Sequence, residues 1–270
     1  MKKTLLTICL VWMCFSLSAQ KIIDLSGKWS FSIDRQDNGE KKKWFSHTLN
    51  DFINLPGSMP EKLKGDEVTA KTQWTGSLYD SSYYYNPYME KYRKEGNIKF
   101  PFFLTPDKHY VGAAWYQKEV NIPADWKGER ILLFLERPHI ETTVWVNGQK
   151  TGMQNSLCVP HQYDITRYVR PGKCTITIRV DNRIKEINVG PDSHSITDQT
   201  QGNWNGIVGR ICLQTTPKTY FDDIQIYPEP EQKLARVKVV IKGTGTAKVK
   251  LSAESFNTDK KHIVPAIQQE

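Results

Sequence analysis

Six of the chain's twelve tyrosines fall in one short stretch: Tyr79, Tyr83, Tyr84, Tyr85, Tyr88 and Tyr92. Rings so placed can do one of two things. An exposed phenol offers a flat face on which the apolar C–H side of a pyranose stacks; a buried one pins a long insertion through the area it removes from water. Burial needs no ligand and is the reading to prefer on sequence grounds. Other chemistry-bearing residues are scattered. The six histidines stand apart, and none, His109 and His161 included, is spaced to pair a base with a nucleophile. There is no Cys-x-x-Cys and no metal-ligand spacing, so neither a metal nor a cofactor is expected. Cys158, Cys174 and Cys212 lie beyond the N-terminal leader, an odd count that cannot close into a disulfide scaffold. Cys174 and Cys212 sit in apolar runs, where a thiol serves as a small buried hydrophobe.

Composition narrows the class. Of 270 residues, 39% are hydrophobic and 24% charged, which excludes an integral membrane protein, a disordered tail and a low-complexity fibre. The net charge is +8, two units of it from Lys2 and Lys3. The remaining excess is scattered, with no basic stripe to follow a phosphate backbone, so nucleic acid is not an expected partner. The triplet Lys41-Lys42-Lys43 reads as a solvated loop. Residues 1–19 read as a signal peptide: a positive Met1-Lys2-Lys3, an apolar run from Leu5 to Leu17 too short to span a bilayer, then small residues. Cleavage after Ala19 leaves Gln20 first and sends the chain to the periplasm or the exterior. The bulky Met13 before Cys14 argues against lipid attachment.

The elements that must position any site are strands. Lys28 to Asp34 alternates Trp29, Phe31 and Ile33 with polar neighbours, the mark of a half-buried strand. Ala114 to Ile122, Ile131 to Glu136, Thr142 to Val146, Gln149 to Met153, Lys173 to Asp181, Ile207 to Thr216 and Phe221 to Tyr227 continue the series. Asn147-Gly148 between two of them is a strong hairpin signal, because both turn residues must accept positive φ. No long amphipathic helix is present, and the expectation is an all-β sandwich. Residues 60–110 interrupt the rhythm as an insertion without a regular pattern, unusually long for a connection. A boundary is expected near Pro217. Beyond it, Ala235 to Lys242 and Ala247 to Ser255 read as further strands, too few for the roughly 100 residues of an immunoglobulin-like sandwich.

Short motifs follow one another in a telling order. Leu25-Ser26-Gly27-Lys28-Trp29-Ser30-Phe31 comes first, then Leu55-Pro56-Gly57-Ser58-Met59, then the stretch from Gly112 to Val120 with Trp115-Tyr116-Gln117. Val144-Trp145-Val146-Asn147-Gly148-Gln149-Lys150-Thr151-Gly152, Tyr163-Asp164-Ile165-Thr166 and Val180-Asp181-Asn182 continue it. Asn203-Trp204-Asn205-Gly206-Ile207 and Arg210 close it. In this order, over about 190 residues, they resemble the N-terminal part of family 2 glycoside hydrolases, the family of bacterial β-galactosidases, β-glucuronidases and β-mannosidases.

The resemblance implies a galactose-binding-like jelly roll over residues 20–217, followed in 218–270 by the first strands of an incomplete immunoglobulin-like sandwich. It implies an exported enzyme of carbohydrate catabolism, with a β-linked oligosaccharide or polysaccharide as partner. Its two bond-breaking carboxylates would sit on a (β/α)₈ barrel, which needs about 250 residues of its own and does not fit after Pro217. The family's acid/base glutamate follows an asparagine. No Asn-Glu dipeptide occurs here, so no catalytic residue is nominated. The jelly roll can still touch substrate. In β-galactosidases and β-glucuronidases an aspartate six residues before the Gly-Ile strand enters the sugar pocket; that position is Thr200 here, with Asp198 the nearest carboxylate. Asp198, Asn203 and Trp204 are therefore the substrate-loop candidates, against the alternative of an ordered loop whose asparagines cap turns. β-Galactosidases also supply an asparagine just before the Trp115 strand. Phe100-Pro101-Phe102-Phe103 offers none, which argues against strict β-galactosidase specificity. Asp164 and the Asp181-Asn182 pair read as structural, each fixing a turn locally. Two other readings stay open: a self-sufficient carbohydrate-binding module, and a structural or adhesive sandwich without sugar affinity.

Overall fold

Seventeen strands form among the described residues, and alternation turns one face of the long sandwich strands toward a shared interior. The computed structural model describes residues 20–69, 71–75, 85–99, 105–185, 202–244, 248–254 and 263–269. In chain order the first ten strands are β1 (Ile22–Asp24), β2 (Gly27–Asp34), β3 (Asp51–Leu55), β4 (Gly57–Ser58), β5 (Asp66–Glu67), β6 (Lys108–His109), β7 (Ala113–Ile122), β8 (Arg130–Pro138), β9 (Glu141–Val146) and β10 (Gln149–Asn155). The rest are β11 (His161–Asp164), β12 (Gly172–Asp181), β13 (Gly206–Thr216), β14 (Tyr220–Glu229), β15 (Leu234–Lys242), β16 (Val249–Glu254) and β17 (Ile263–Gln269).

Two antiparallel sheets form the sandwich. One runs β10-β9-β12-β7-β2-β3; the other runs β1-β13-β8-β11, with β4 also paired to β13. Leu133, Leu135, Ile211 and Leu213 from the second sheet meet Phe31, Tyr116, Val144, Ile176 and Ile178 from the first in one buried core. The Asn147-Gly148 hairpin forms with both turn residues at positive φ, 50° and 76°. The fold is all-β, as the alternation requires.

The central strands differ from the half-buried expectation. β9 is buried along its whole length and β7 nearly so. The outward side chains Trp115 and Trp145 are covered by Trp44, Phe45 and Leu49 from the loop after β2. Trp115 stacks on Trp145 at 5.0 Å between ring centres, and Phe45 lies parallel to Trp145 at 5.2 Å. Asp34 fastens that loop by accepting from the Trp115 indole at 3.0 Å and from the backbone N–H groups of Asn38 and Gly39.

The insertion is not wholly irregular. β5 pairs β6 near its two ends, and a 3₁₀ turn spans Pro87–Tyr92. Beyond the sandwich, β14 pairs β15 and β16 pairs β17 in two separate hairpins. Cys174 and Cys212 are buried and Cys158 is exposed, all three as free thiols. No described helix is long and apolar enough to cross a membrane.

Candidate functional site

β12 and β13 leave the sandwich at one end and frame the loop that carries the candidate residues. Its stems are residues 182–185 and 202–205; Asp198 and Thr200 lie outside the described residues. The stems are held by three asparagines. Asn182 donates from Nδ2 to Asn203 Oδ1 at 3.0 Å, and Asn203 Nδ2 donates back to the Asn182 carbonyl at 3.0 Å. Asn182 Nδ2 also donates to the Tyr110 carbonyl, while its Oδ1 accepts from the Gly112 N–H, both at 2.8 Å. Asn205 Nδ2 donates to the carbonyls of Gly112 and Val180 at 2.9 Å, and its Oδ1 accepts from the Tyr116 hydroxyl at 2.7 Å. Burial pushes that phenol well above its ordinary pKa, so Tyr116 stays a neutral donor.

These bonds revise the expectation for Asn182. Asn182 does not cap a local turn; it ties the end of β12 to the segment before β7 and to the other loop stem. Asn203 lies at the loop mouth, where its amide is engaged by Asn182 and by the Thr75 hydroxyl at 3.0 Å. Thr75 belongs to the insertion, so the insertion and the loop, which look independent in sequence, meet here.

Gly206 opens β13 beside β4. At φ 146° its missing Cβ would fall 2.5 Å from the Gly57 carbonyl oxygen, so only glycine permits this backbone approach. Immediately before it, half-buried Trp204 rests on His139, with ring centres 4.6 Å apart. His139 is more than nine-tenths buried, and its Nε2 has no hydrogen-bond partner. Burial pushes its pKa down to about 4, so the ring is neutral at pH 7. Sequence spacing gave no sign of this pair, which are 65 residues apart.

Beside the frame lies a buried ionic cluster. Asp181 is wholly buried and pairs with Arg179 at 3.0 Å, Arg183 at 2.6 Å and Lys185 at 2.9 Å. Arg179 and Arg183 also hold Asp37, and Arg179 and Lys185 hold Glu141. Burial alone would raise the Asp181 carboxyl, but hydrogen bonds from Arg183 and Lys185 outweigh it and hold the group well below the usual carboxylate range. The local turn expected of Asp181 does form, since it accepts from the Arg183 N–H at 3.0 Å, but this is a small part of its role. Asp164 behaves as expected, accepting from the Thr166 N–H at 3.1 Å, and it adds an ion pair to Arg130.

The arrangement offers an aromatic face at the mouth of a rigidly framed loop. Among the described residues no cluster of His, Cys, Asp and Glu could hold a metal ion. The geometry suits binding by stacking and hydrogen bonding.

Relatives agree with this reading of the fold. The human (Homo sapiens) β-glucuronidase is 28% identical over 178 residues, which is 58% of this chain and 27% of that protein. The rat (Rattus norvegicus) β-glucuronidase is 22% identical over 263 residues, 88% of this chain and 35% of that protein. The chain thus spans about a third of the length of these relatives. Among solved structures, a β-glucuronidase from an uncultured Clostridium sp. superposes with a TM-score of 0.59 at 18% identity, covering 93% of this chain and 38% of its own. The Ruminococcus gnavus β-glucuronidase in complex with C6-substituted uronic isofagomine gives 0.58 at 17% identity, with 93% and 38% covered. Residues 22–217 match the family described as glycosyl hydrolases family 2, sugar binding domain, and the chain belongs to that family.

Proposed function

We propose that this chain is the carbohydrate-binding part of an exported family 2 glycoside hydrolase that cleaves β-glycosidic bonds, with a β-linked uronic acid glycan as its substrate class. The observation that carries the reading is the asparagine-framed loop mouth, with Trp204 set in it, within a family 2 sugar binding domain. The relatives named as β-glucuronidases support the sugar class. In this reading Trp204 stacks on the sugar, Asn203 holds the loop in place, and Asp198 supplies the hydrogen-bonding carboxylate. The cleaving carboxylates belong to a barrel, so residues 20–270 alone bind without cleaving.

The test is titration of residues 20–270 with methyl β-glucuronide, β-galactoside and β-mannoside, followed by NMR. One loop supplies only part of a pocket, so the expected affinity is millimolar at best, about −4 kcal/mol. Trp204→Ala and Asp198→Ala should each abolish it. Binding untouched by both changes would refute the assignment. Hydrolysis of aryl β-glycosides by carefully purified residues 20–270 would refute the separation of binding from cleavage.

Two proposals on organisation accompany this one. Residues 1–19 are a signal peptide, so mass spectrometry of exported protein should find Gln20 at the N-terminus. Residues 218–270 belong to a second, immunoglobulin-like unit, so limited proteolysis should leave a core ending between Thr216 and Pro230. A resistant product that reaches Glu270 would contradict the boundary.

A further inference from the structure

The first stem of the 182–205 loop is gripped from two sides. On one side Asn203 donates to the carbonyl of its first residue, Asn182, at 3.0 Å. On the other, the residues that follow curl around the Asp181 carboxylate. Arg183 donates to it from the backbone N–H at 3.0 Å, and its guanidinium spans both oxygens, with Nε on Oδ1 at 2.9 Å and Nη2 on Oδ2 at 2.6 Å. Lys185 reaches the same carboxylate and that of Glu141, each at 2.9 Å. Arg183 Nη2 also reaches Asp37 at 2.6 Å.

Neutralising Asp181 does not by itself require these contacts. Arg179 lies on β12 with Asp181 and already pairs with it at 3.0 Å. What Arg183 and Lys185 add is direction. Asp181 is wholly buried, and a buried carboxylate that loses a charged partner is left with an uncompensated desolvation cost. The carboxylate therefore draws both cations to fixed places, and the backbone of residues 183–185 must follow. A forked guanidinium on a carboxylate fixes orientation as well as distance. Burial lowers the Lys185 ammonium, but hydrogen bonds to Glu141 and Asp181 outweigh it and raise its pKa, so the group stays charged at neutral pH. Arg179, Arg183 and Lys185 balance Asp37, Glu141 and Asp181 in charge, which suits a clamp better than an anion site.

We propose that Arg183 and Lys185 are positioning residues for sugar binding: by closing on Asp181 they set the path of the first stem, and with it the entry to the loop that carries Asp198. The proposal rests on the reading of that loop as substrate-facing. It makes sugar affinity depend on two side chains that need not touch the sugar. It also links the loop mouth to the outer aromatic layer, because Asp37 lies in the loop whose Trp44, Phe45 and Leu49 cover Trp115 and Trp145.

The experiment compares residues 20–270 with Arg183→Gln/Lys185→Gln and with Arg183→Lys/Lys185→Arg. Amide hydrogen exchange is read by mass spectrometry, and binding by NMR titration with methyl β-glucuronide, β-galactoside and β-mannoside. In the glutamine variant, exchange across 182–185 and 202–205 should quicken about tenfold while peptides from β7 and β8 keep wild-type rates. Affinity for any sugar that wild type binds, neutral or anionic, should fall about tenfold in parallel, and the charge-conserving variant should recover part of both. Stem exchange that is unchanged, or that rises equally in β7 and β8, overturns the clamp. Weakening confined to the glucuronide, with stem exchange unchanged, would make the two side chains ligands of the uronate instead. Quicker stem exchange with wild-type affinity overturns the role in binding. If wild type binds none of the three sugars, the loop reading fails and the role in binding fails with it, and exchange alone then decides whether the clamp exists.

Discussion

β12 and β14 alternate equally well in sequence, yet the structure treats them in opposite ways. Ile176, Ile178 and Val180 of β12 are fully buried, and its outward Thr177, Arg179 and Asp181 are buried as well. In the β14–β15 hairpin, Ile224 and Ile226 are 52% and 65% exposed, although Ile224 pairs with Val239 and Ile226 with Val237 on one apolar face. A strand pattern specifies which side chains share a face. It does not specify what covers that face. In the sandwich two layers do the covering: the opposite sheet on one side and the Trp44-Phe45-Leu49 loop on the other. Arg130 marks the joint between the two regions, its guanidinium 3.7 Å from the Tyr220 ring centre.

The contrast can be broken first at its strongest point. Trp115→Ala removes a wholly buried indole from the stack on Trp145 and should cost about 3–5 kcal/mol in urea unfolding. A loss below about 1 kcal/mol would mean that the outer aromatic layer adds little to the sandwich. Next is Asp181→Ala, which removes the wholly buried carboxylate shared by Arg179, Arg183 and Lys185 and should cost about 3 kcal/mol. The same change at Asp222, which pairs with an exposed Lys242, should cost less than about 1 kcal/mol.

A third effect appears with pH. His139 has a folded pKa of about 4, below its ordinary 6.5, so the unfolded chain takes up the proton first. The stability tied to the neutral ring is complete above pH 6.5 and is lost as pH falls toward 4, by about 3 kcal/mol at most. His139→Phe should flatten that part of the stability–pH curve; an equal decline in both proteins would assign it to other groups. The smallest effect belongs to the hairpin. Ile226→Thr should change stability by no more than about 0.5 kcal/mol, and a cost above about 2 kcal/mol would show that its apolar face is covered in solution.

Much of the sandwich was legible along the chain. β2, β7, β12 and β13 follow the alternation to within a residue or two, and the turn at Asn147-Gly148 is dictated by two positive φ angles. Asp164 also behaves as its local sequence suggests. β4 was not legible, because two residues carry no period and their pairing depends on Gly57 and Gly206 meeting across the sheet. The two-sided burial of β7 and β9 escaped for a related reason: Trp115 and Trp145 are covered by a loop from another part of the chain.

The candidate site divides the same way. Local pattern was enough for the long sandwich strands, the Asn147-Gly148 turn and the position of Asn203 and Trp204 just before a glycine-led strand. Tertiary structure alone decided that Asn203 is engaged by Asn182 and Thr75, that Trp204 rests on a buried neutral His139, and that the insertion is joined to the loop. The physical reason is range. Alternation and turn chemistry act between residues a few positions apart, whereas Asn203 meets partners 21 and 128 positions away and Asn205 meets Tyr116 across 89. Such contacts arise only once strand order has brought distant segments to the same end of the sandwich.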